Sequence, residues 1–382
     1  MKTQTKNQEL ETKVEKTEER QDNSQCSVDI IKLLKLMVDF KASDLHLKAP
    51  TGPIYRVDGQ LIRNDHCFPV SPEEVECVFQ QITTEEHRRQ FARHKELDFA
   101  YSIPGTARYR VNVHRQRGSL SIAFRMIPFH IFGIDELGLP KICKDLIMRP
   151  RGLIVVTGPT GSGKSTTLAA MIRHRNENSR SRIITIEDPI EYMFNDEQCV
   201  ISQREIGADT DSFTMALKHA LRHDPDVIVV GEMRDLETMS TAVAAAETGH
   251  LVLGTLHTID APQTVDRLID MYPANQQAQM RLQFSQLLVA VICQALVPRA
   301  TGHGRVGAFE IMTGNTAVKN IIREGRTQEL TGAIQLGAAY GMQTLDQDLV
   351  RLVRERAIES KEALLKSSTP ERLTKLLTGV SK

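Results

Sequence analysis

Tryptophan is absent from this chain of 382 residues, and aromatic residues make up only 5% of it. So few rings are a poor basis for a groove on which successive bases stack, which weighs against single-strand nucleic-acid binding. Neither sign of charge is in excess: 48 Lys and Arg stand against 48 Asp and Glu. No overall basic field therefore exists to hold nucleic acid or an anionic lipid surface, though a local basic groove stays open. The six cysteines, Cys26, Cys67, Cys77, Cys143, Cys199 and Cys293, form no C-x-x-C pair. A disulfide framework or zinc knuckle is not expected; reduced thiols in a cytoplasmic protein are. Also missing is any apolar run near the ~20 residues of a spanning helix. The N-terminal MKTQTKNQELETKVEKTEERQDNSQ lacks the apolar core of a signal peptide. The expectation is a soluble protein with no direct membrane insertion, reaching a membrane only through a partner.

What is present is enough apolar content, 41%, for real cores, and enough length for two domains. Residues 1–27 are polar and mixed in charge, and read as a disordered tail or a short helical arm. From Val28 the pattern changes. VDIIKLLKLMVDF puts Ile30, Ile31, Leu34, Met37 and Val38 on one helical face. Leu45 and Leu47 in SDLHLKAP alternate as in a strand, and Asp58-Gly59 in PIYRVDGQLIR signals a hairpin. A helix is expected over Ser71 to Ile82, with Ser71 capping, Pro72 at the first position and Glu74 closing a capping box. Two strands joined near Arg117-Gly118 complete an α+β domain over 28–128. A connector at 129–151 leads to a second domain. Its apolar runs, Leu153–Thr157, Ile183–Ile186, Val227–Val230 and Leu251–Thr255, alternate with helical stretches. That pattern implies an α/β domain with a buried parallel sheet, 152–316. The segment 317–382 reads as helical, with breaks near Gly325 and Pro370 and an apolar face at Leu345, Leu349 and Leu352.

The chemistry begins at GPTGSGKST. Gly158, Pro159, Thr160, Gly161, Ser162, Gly163, Lys164 and Ser165 fit G-x-x-x-x-G-K-[ST], with a strand before and a helix after. Such a loop turns backbone N–H groups onto phosphate oxygens, and the following helix adds its positive end. Lys164 is placed to neutralise β- and γ-phosphates and Ser165 to ligate Mg²⁺, with Thr166 beside it. ATP and Mg²⁺ are the expected ligands. IITIEDPIEY then delivers Glu187 and Asp188 at a strand end and Glu191 in the turn beyond, where ligands of open α/β sheets sit. A solvated acidic loop is the plainer alternative. In VIVVGEMRD the position at which many phosphate-loop enzymes carry an aspartate is Gly231, and the strand-tip acid is Glu232. Arg234 and Asp235 beyond it read as a surface pair. His250 and His257 flank the next strand, either as sensors of the γ-phosphate or as structural residues; without cysteine partners they do not make a zinc site.

GPTGSGKST, TIEDPIEY, LRHDPDVIVVGEMRDLET and ETGHLVLGTLHT, in this order, resemble the type II/IV secretion ATPase superfamily, and most closely its PilT-like retraction ATPases of type IV pili. SDLHL, YRVDGQL, ARYRVN, IIREG and GMQTLD carry the resemblance over nearly the whole chain. It implies a RecA-like P-loop motor domain preceded by a PAS-like N-terminal domain, assembled as a homohexamer, with ATP between the domains. Carried over, Glu191 resembles the general base for water and Glu232 the acid near Mg²⁺, with Glu187 and Asp188 in the same acidic box. Arg108, Arg110 and Arg125 match arginines that close over the phosphates, and Arg305 one acting from a neighbouring subunit. Each of these arginines also has an ordinary salt-bridge alternative. IIREG, Ile321 to Gly325, resembles a segment that retraction ATPases need for motility, and equally suits an amphipathic packing helix. The implied partner is an inner-membrane pilus platform protein, met at the cytoplasmic side of that membrane. Rivals are an accessory retraction ATPase, a pilus-extension or secretion-assembly ATPase, a DNA-translocating motor, and a nucleotide-binding regulator without turnover. Extension and secretion enzymes often carry a tetracysteine zinc element, for which this chain has no C-x-x-C.

Overall fold

The structure, a computed structural model, describes residues 27–57, 59–63, 69–127 and 130–378. The tail expected over 1–27, Ser27 apart, lies outside them, as do Asp58, Cys26 and Cys67. The chain divides into two compact units, Met1–Phe129 and His130–Lys382.

The first unit is an antiparallel sheet of β1 (Asp44–Lys48), β2 (Ile54–Val57), β3 (Gln60–Arg63), β4 (Glu96–Ile103), β5 (Ala107–Gln116) and β6 (Ser119–Ile127), in the order β3-β2-β1-β6-β5-β4. The β5–β6 turn passes through Arg117 and Gly118, both at positive φ (48° and 87°), the twist a tight hairpin needs. The helix Pro72–Ile82 starts on the expected capping box: Glu74 N–H donates to Ser71 Oγ at 3.2 Å, and Ser71 N–H to Glu74 Oε2 at 2.7 Å. Its Val75, Val78, Phe79 and Ile82 join Leu45, Leu47, Tyr109 and Phe124 in one core. The helix Ile30–Asp39 buries Ile30, Leu34 and Met37, but Ile31 is exposed, against expectation. Neighbouring helical residues point roughly 100° apart, so Ile31 cannot share the Ile30 face.

In the second unit, β7 (Gly152–Thr157), β8 (Arg182–Glu187), β9 (Val200–Glu205), β10 (Val227–Val230), β11 (Leu251–Leu256), β12 (Leu288–Pro298) and β13 (Arg305–Thr313) stand in the order β13-β12-β7-β11-β10-β8-β9. Only the pairing of β13 with β12 is antiparallel. The four expected apolar strands are β7, β8, β10 and β11, each buried on both faces as a helix-covered parallel sheet requires. β9, an edge strand of sequence VISQRE, carries too little apolar signal to be anticipated. Residues expected as a connector pack onto this unit: Ile134, Leu139, Cys143, Leu146 and Ile147 are buried, and Arg175 Nη1 donates to Ile147 O (2.7 Å) and Arg149 O (3.0 Å). The helix Thr316–Glu324 ends on Gly325 in the left-handed region, turning Ile321 and Ile322 into the core. The helix Leu345–Arg354 is tied to β13 through Asp348, which accepts from Phe309 N–H at 2.9 Å.

One cysteine departs from expectation. Cys77 is disulfide-bonded, whereas Cys143, Cys199 and Cys293 are free. Spacing along the chain reports only local motifs, and a disulfide needs proximity in space.

Asp44, at 6% exposure, organises one end of the first sheet. It accepts from Arg125 Nε and Ser43 Oγ at 2.8 and 2.7 Å, with Arg56 Nε at 3.6 Å. Burial pushes its pKa up, but Ser43 and Arg125 outweigh that and leave it below the usual value. Asp44→Asn is therefore expected to cost about 1–2 kcal/mol at neutral pH. A depressed folded pKa contributes stability that is full above the unfolded value of about 3.9 and is lost as pH falls through the lower folded value, so the gap between variant and parent starts to narrow only below about pH 4. Unfolding of the two proteins, followed from pH 7 to pH 3, checks both statements.

Candidate active site

The ladder register brings four strand ends to one edge of the second sheet. Val230 pairs with Ile186 and Gly254, and Leu256 with Thr157. The residues at or just beyond these pairs, Gly158, Glu187, Gly231 and His257, therefore leave the sheet on the same side.

Gly158, Gly161 and Gly163 all have positive φ (142°, 78° and 92°). Space as well as torsion demands glycine at two of them. A Cβ on Gly158 would lie 2.4 Å from Gln294 O, and one on Gly163 2.7 Å from Gln294 Nε2. Pro159, Thr160 and Gly161 form an exposed crest above buried Ser162. Gly163 caps the helix Lys164–Asn178. The first N–H groups of that helix, at Lys164, Ser165 and Thr166, have no acceptor within it and suit a phosphate. Lys164 Nζ folds back over the loop, donating to Gly158 O at 2.7 Å and Pro159 O at 3.3 Å. Burial lowers its pKa, and Glu232 and Glu191 pull it back up.

A hydrogen-bonded series runs away from this lysine. His257 Nδ1 lies 3.5 Å from Lys164 Nζ, and His257 Nε2 lies 2.8 Å from Glu232 Oε1. The neutral tautomer with hydrogen on Nε2 serves both contacts, donating to Glu232 and accepting from Lys164. Arg234 Nε meets the same Glu232 oxygen at 2.6 Å. Burial raises the Glu232 pKa, but Arg234 and His257 outweigh it and hold the carboxylate below its usual range.

The acids of IEDPIEY separate. Glu187 turns inward, accepting from Thr185 Oγ1 at 2.5 Å and Gln203 Nε2 at 3.2 Å, and burial raises its pKa. Asp188 and Glu191 stay exposed. Tyr192, next to Glu191, places its hydroxyl 2.8 Å from Thr166 Oγ1, which ties the acidic turn to the phosphate-loop helix.

Gly231 has a packing reason. Its N–H donates to Ile186 O at 2.7 Å. A Cβ there would stand 3.1 Å from Ile186 O and 3.2 Å from Glu187 Cα, so the backbone of β8 would have to give by a few tenths of an ångström to admit any side chain. Arg234 and Asp235 are not the surface pair expected: Arg234 binds Glu232, and Asp235 caps the helix Leu236–Glu247 through Thr238 N–H at 2.8 Å.

His250 requires a correction. It precedes β11, where its carbonyl accepts from Gly152 N–H at 3.0 Å, and its Nδ1 lies 2.9 Å from Ala245 O. The six residues of β11 span roughly 20 Å, so His250 stands at the opposite edge of the sheet from the phosphate loop of its own chain. A strand reverses the surroundings of its two ends, so a histidine at each cannot serve one site. Arg305, exposed, opens β13 opposite Pro298, farther along β12 than Cys293, the partner of Thr157. It therefore stands past the sheet edge at which the loop begins. Arg108, Arg110 and Arg125 belong to the first unit. There Arg110 pairs with Asp98 at 3.8 Å and Arg125 with Asp44.

Among the described residues no group of three His, Cys, Asp or Glu is arranged to hold a metal. Mg²⁺ needs less from the protein, since it keeps waters and binds largely through phosphate oxygens. The Ser165 hydroxyl and the ionised Glu232 fit that requirement. Sequence reasoning missed Tyr192, Gln203, Gln294 and Thr258, whose hydroxyl lies 2.8 Å from Thr157 Oγ1. Gln294 carried a signal, as an amide within the apolar run VAVICQALV; Gln203 carried none.

Residues 120–379 match the family described as type II/IV secretion system protein. The chain is 45% identical over 344 residues to the type IV pilus retractation ATPase PilT of Pseudomonas aeruginosa, spanning 90% of this chain and 99% of that protein. It is 43% identical over 333 residues to the type IV pilus ATPase PilU of the same organism, spanning 87% of each. A crystal structure of the pilus retraction motor PilT with bound ADP superposes with a TM-score of 0.86 at 43% identity, covering 91% of this chain and 99% of that one.

Gly231→Asp restores the textually missing acid but is expected to lower stability by about 1–3 kcal/mol through overpacking, without raising ATP turnover. Thermal unfolding and an ATPase assay decide it. His250→Ala is expected to leave ADP affinity within about twofold, because at roughly 20 Å it has no contact to lose; calorimetric titration against His257→Ala tests that contrast.

Proposed function

This chain belongs to the type II/IV secretion system protein family and is an ATPase of its pilus-retraction branch, and on that premise we propose that it is a Mg²⁺-dependent homohexameric motor withdrawing type IV pili. The series Lys164–His257–Glu232, set beside a glycine loop at the carboxyl ends of parallel strands, carries the mechanistic reading. The proposal takes the second unit as a RecA-like motor domain and the first as PAS-like.

Phosphoryl transfer to water asks mainly for positioning and charge stabilisation. The loop and the start of the helix Lys164–Asn178 cradle the phosphates. Lys164 exchanges its bonds to Gly158 O and Pro159 O for the β/γ-phosphates. Ser165 and Glu232 hold Mg²⁺, which supplies further charge neutralisation when bound. Glu191, exposed on its turn and close enough to act on Lys164, orients and deprotonates the attacking water. Glu187 is the less suitable base, since Thr185 and Gln203 occupy it and it is half-buried. His257 responds to bound phosphate, because a phosphate drawing Lys164 away also releases His257 Nδ1. Arg108, Arg110, Arg125 and Arg305 are assigned to phosphate contacts within the ring; Arg110 and Arg125 would exchange their present carboxylate partners for them.

No described helix is long and apolar enough to cross a membrane. On its likeness to a pilus retraction ATPase we assign the motor to the cytoplasmic side of the inner membrane, held there by a pilus platform protein. A second reading, an accessory to a main retraction motor, is favoured by the near-equal identity to two pilus ATPases of one organism. Loss of retraction in a strain lacking this chain alone would favour the main-motor reading.

Lys164→Ala is expected to abolish ATP binding. Glu191→Gln and Glu232→Gln should keep ADP binding and lose turnover by about 10²-fold or more. Near-parental turnover in both glutamine variants would overturn the assigned roles, and a purified protein that forms no six-membered ring would overturn the assembly.

A further inference from the structure

Two glutamines outside every motif hold the site from opposite flanks. Gln294 stands on β12, next to β7, and is only 6% exposed. Its Nε2 donates to Ser162 O at 2.7 Å, and its Oε1 accepts from Thr167 Oγ1 at 2.7 Å. The same residue fills the space where side chains at Gly158 and Gly163 would go. The amide thus joins the phosphate loop to the first turn of the helix behind it. Gln203 stands on β9, next to β8. Its Nε2 donates to Tyr192 O at 2.8 Å and to Glu187 Oε1 at 3.2 Å, and its Oε1 accepts from Phe194 N–H at 2.9 Å. These partners bracket Glu191 along the chain, one before it and two after.

A buried amide is costly unless its polar atoms are satisfied. Gln294 is buried and Gln203 half-buried, and both amides are satisfied within the site, one by the phosphate loop and its helix, the other by the acidic turn. The two bond sets share no atom. β12 and β9 are separated by β7, β11, β10 and β8, which puts the strands roughly 24 Å apart.

We propose that Gln294 and Gln203 are positioning residues with separate duties. Gln294 shapes the phosphate loop for nucleotide binding. Gln203 sets the acidic turn so that Glu191 faces the attacking water. The second duty rests on the role given to Glu191 above; the first does not.

The test uses the full chain with Gln294→Met and Gln203→Met, which keep length and lose the amide. Dissociation constants for a fluorescent ADP analogue, ATP turnover and thermal midpoints are measured for each. Gln294→Met should weaken nucleotide binding about tenfold with a much smaller change in kcat, and Gln203→Met should hold affinity within about twofold while kcat falls about tenfold or more. The double variant should show both losses additively, as distant independent sites do. A merely structural role would lower the midpoint and move affinity and kcat together in each variant. That result, or parental kinetics in either variant, overturns the proposal. If a methionine variant does not fold, Gln294→Glu and Gln203→Glu undergo the same measurements under the same criteria; they keep the Oε acceptor and remove the Nε2 donor. Glu191→Gln runs alongside. Normal turnover there refutes the role of Glu191 and the Gln203 duty with it. An inactive Glu191→Gln beside an unimpaired Gln203→Met refutes the Gln203 duty alone.

Discussion

In a parallel sheet all the carboxyl ends face one way, and the register of the ladder decides how nearly level they finish. Between β7, β11, β10 and β8 that register sets Thr157, Leu256, Val230 and Ile186 near a common edge. The phosphate loop, the histidine, the strand-tip glutamate and the acidic turn all begin there. A slip of one residue in β10 would turn its side chains to the other face and carry Glu232 away from His257. The fully buried strands make such a slip costly, because each face is covered and has its own apolar set.

Close approach and charge then divide the acids. Gly231 lies close against β8, and the strand-tip acid stands one residue later. Glu232 falls within reach of Arg234 and His257, and two positive or donating neighbours keep it ionised despite partial burial. Glu187, on the adjacent strand, has burial as its largest influence and the like charge of Glu191 beside it, and the hydrogen bonds from Thr185, Gln203 and the Glu191 backbone do not offset them, so its pKa rises. Two glutamates a strand apart thus acquire different properties from their neighbours, not from their residue type. Lys164 lies where both influences meet, desolvated by the loop and drawn back by Glu232 and Glu191.

Much of the fold was legible because it rests on local rules. Continuous apolar runs announced β7, β8, β10 and β11, the capping box announced the helix Pro72–Ile82, and Gly325 announced a helix end. Where the pattern was silent the elements were missed. VISQRE shows little hydrophobic signal because an edge strand has one neighbour and an open flank. Ile31 was placed on the wrong face because an apolar residue does not by itself report burial. In the second unit, the place of the glycine loop after β7 and of Glu232 just beyond β10 was legible from motif spacing. His250 was not, since a motif written along the chain does not say which end of a strand each histidine occupies.

By itself, the sequence determined the phosphate loop, the α/β character of the second unit and the presence of acids after two strands, because strand period, glycine torsions and helix capping act within a few residues. Tertiary structure alone decided that the pKa of Glu232 falls while that of Glu187 rises, that Gly231 lies close against β8, and that Gln203 and Gln294 bond to the acidic turn and the loop. Those outcomes depend on β8 beside β10, β9 beside β8 and β12 beside β7. Such neighbours are brought together by sheet order, and separation along the chain carries no record of it.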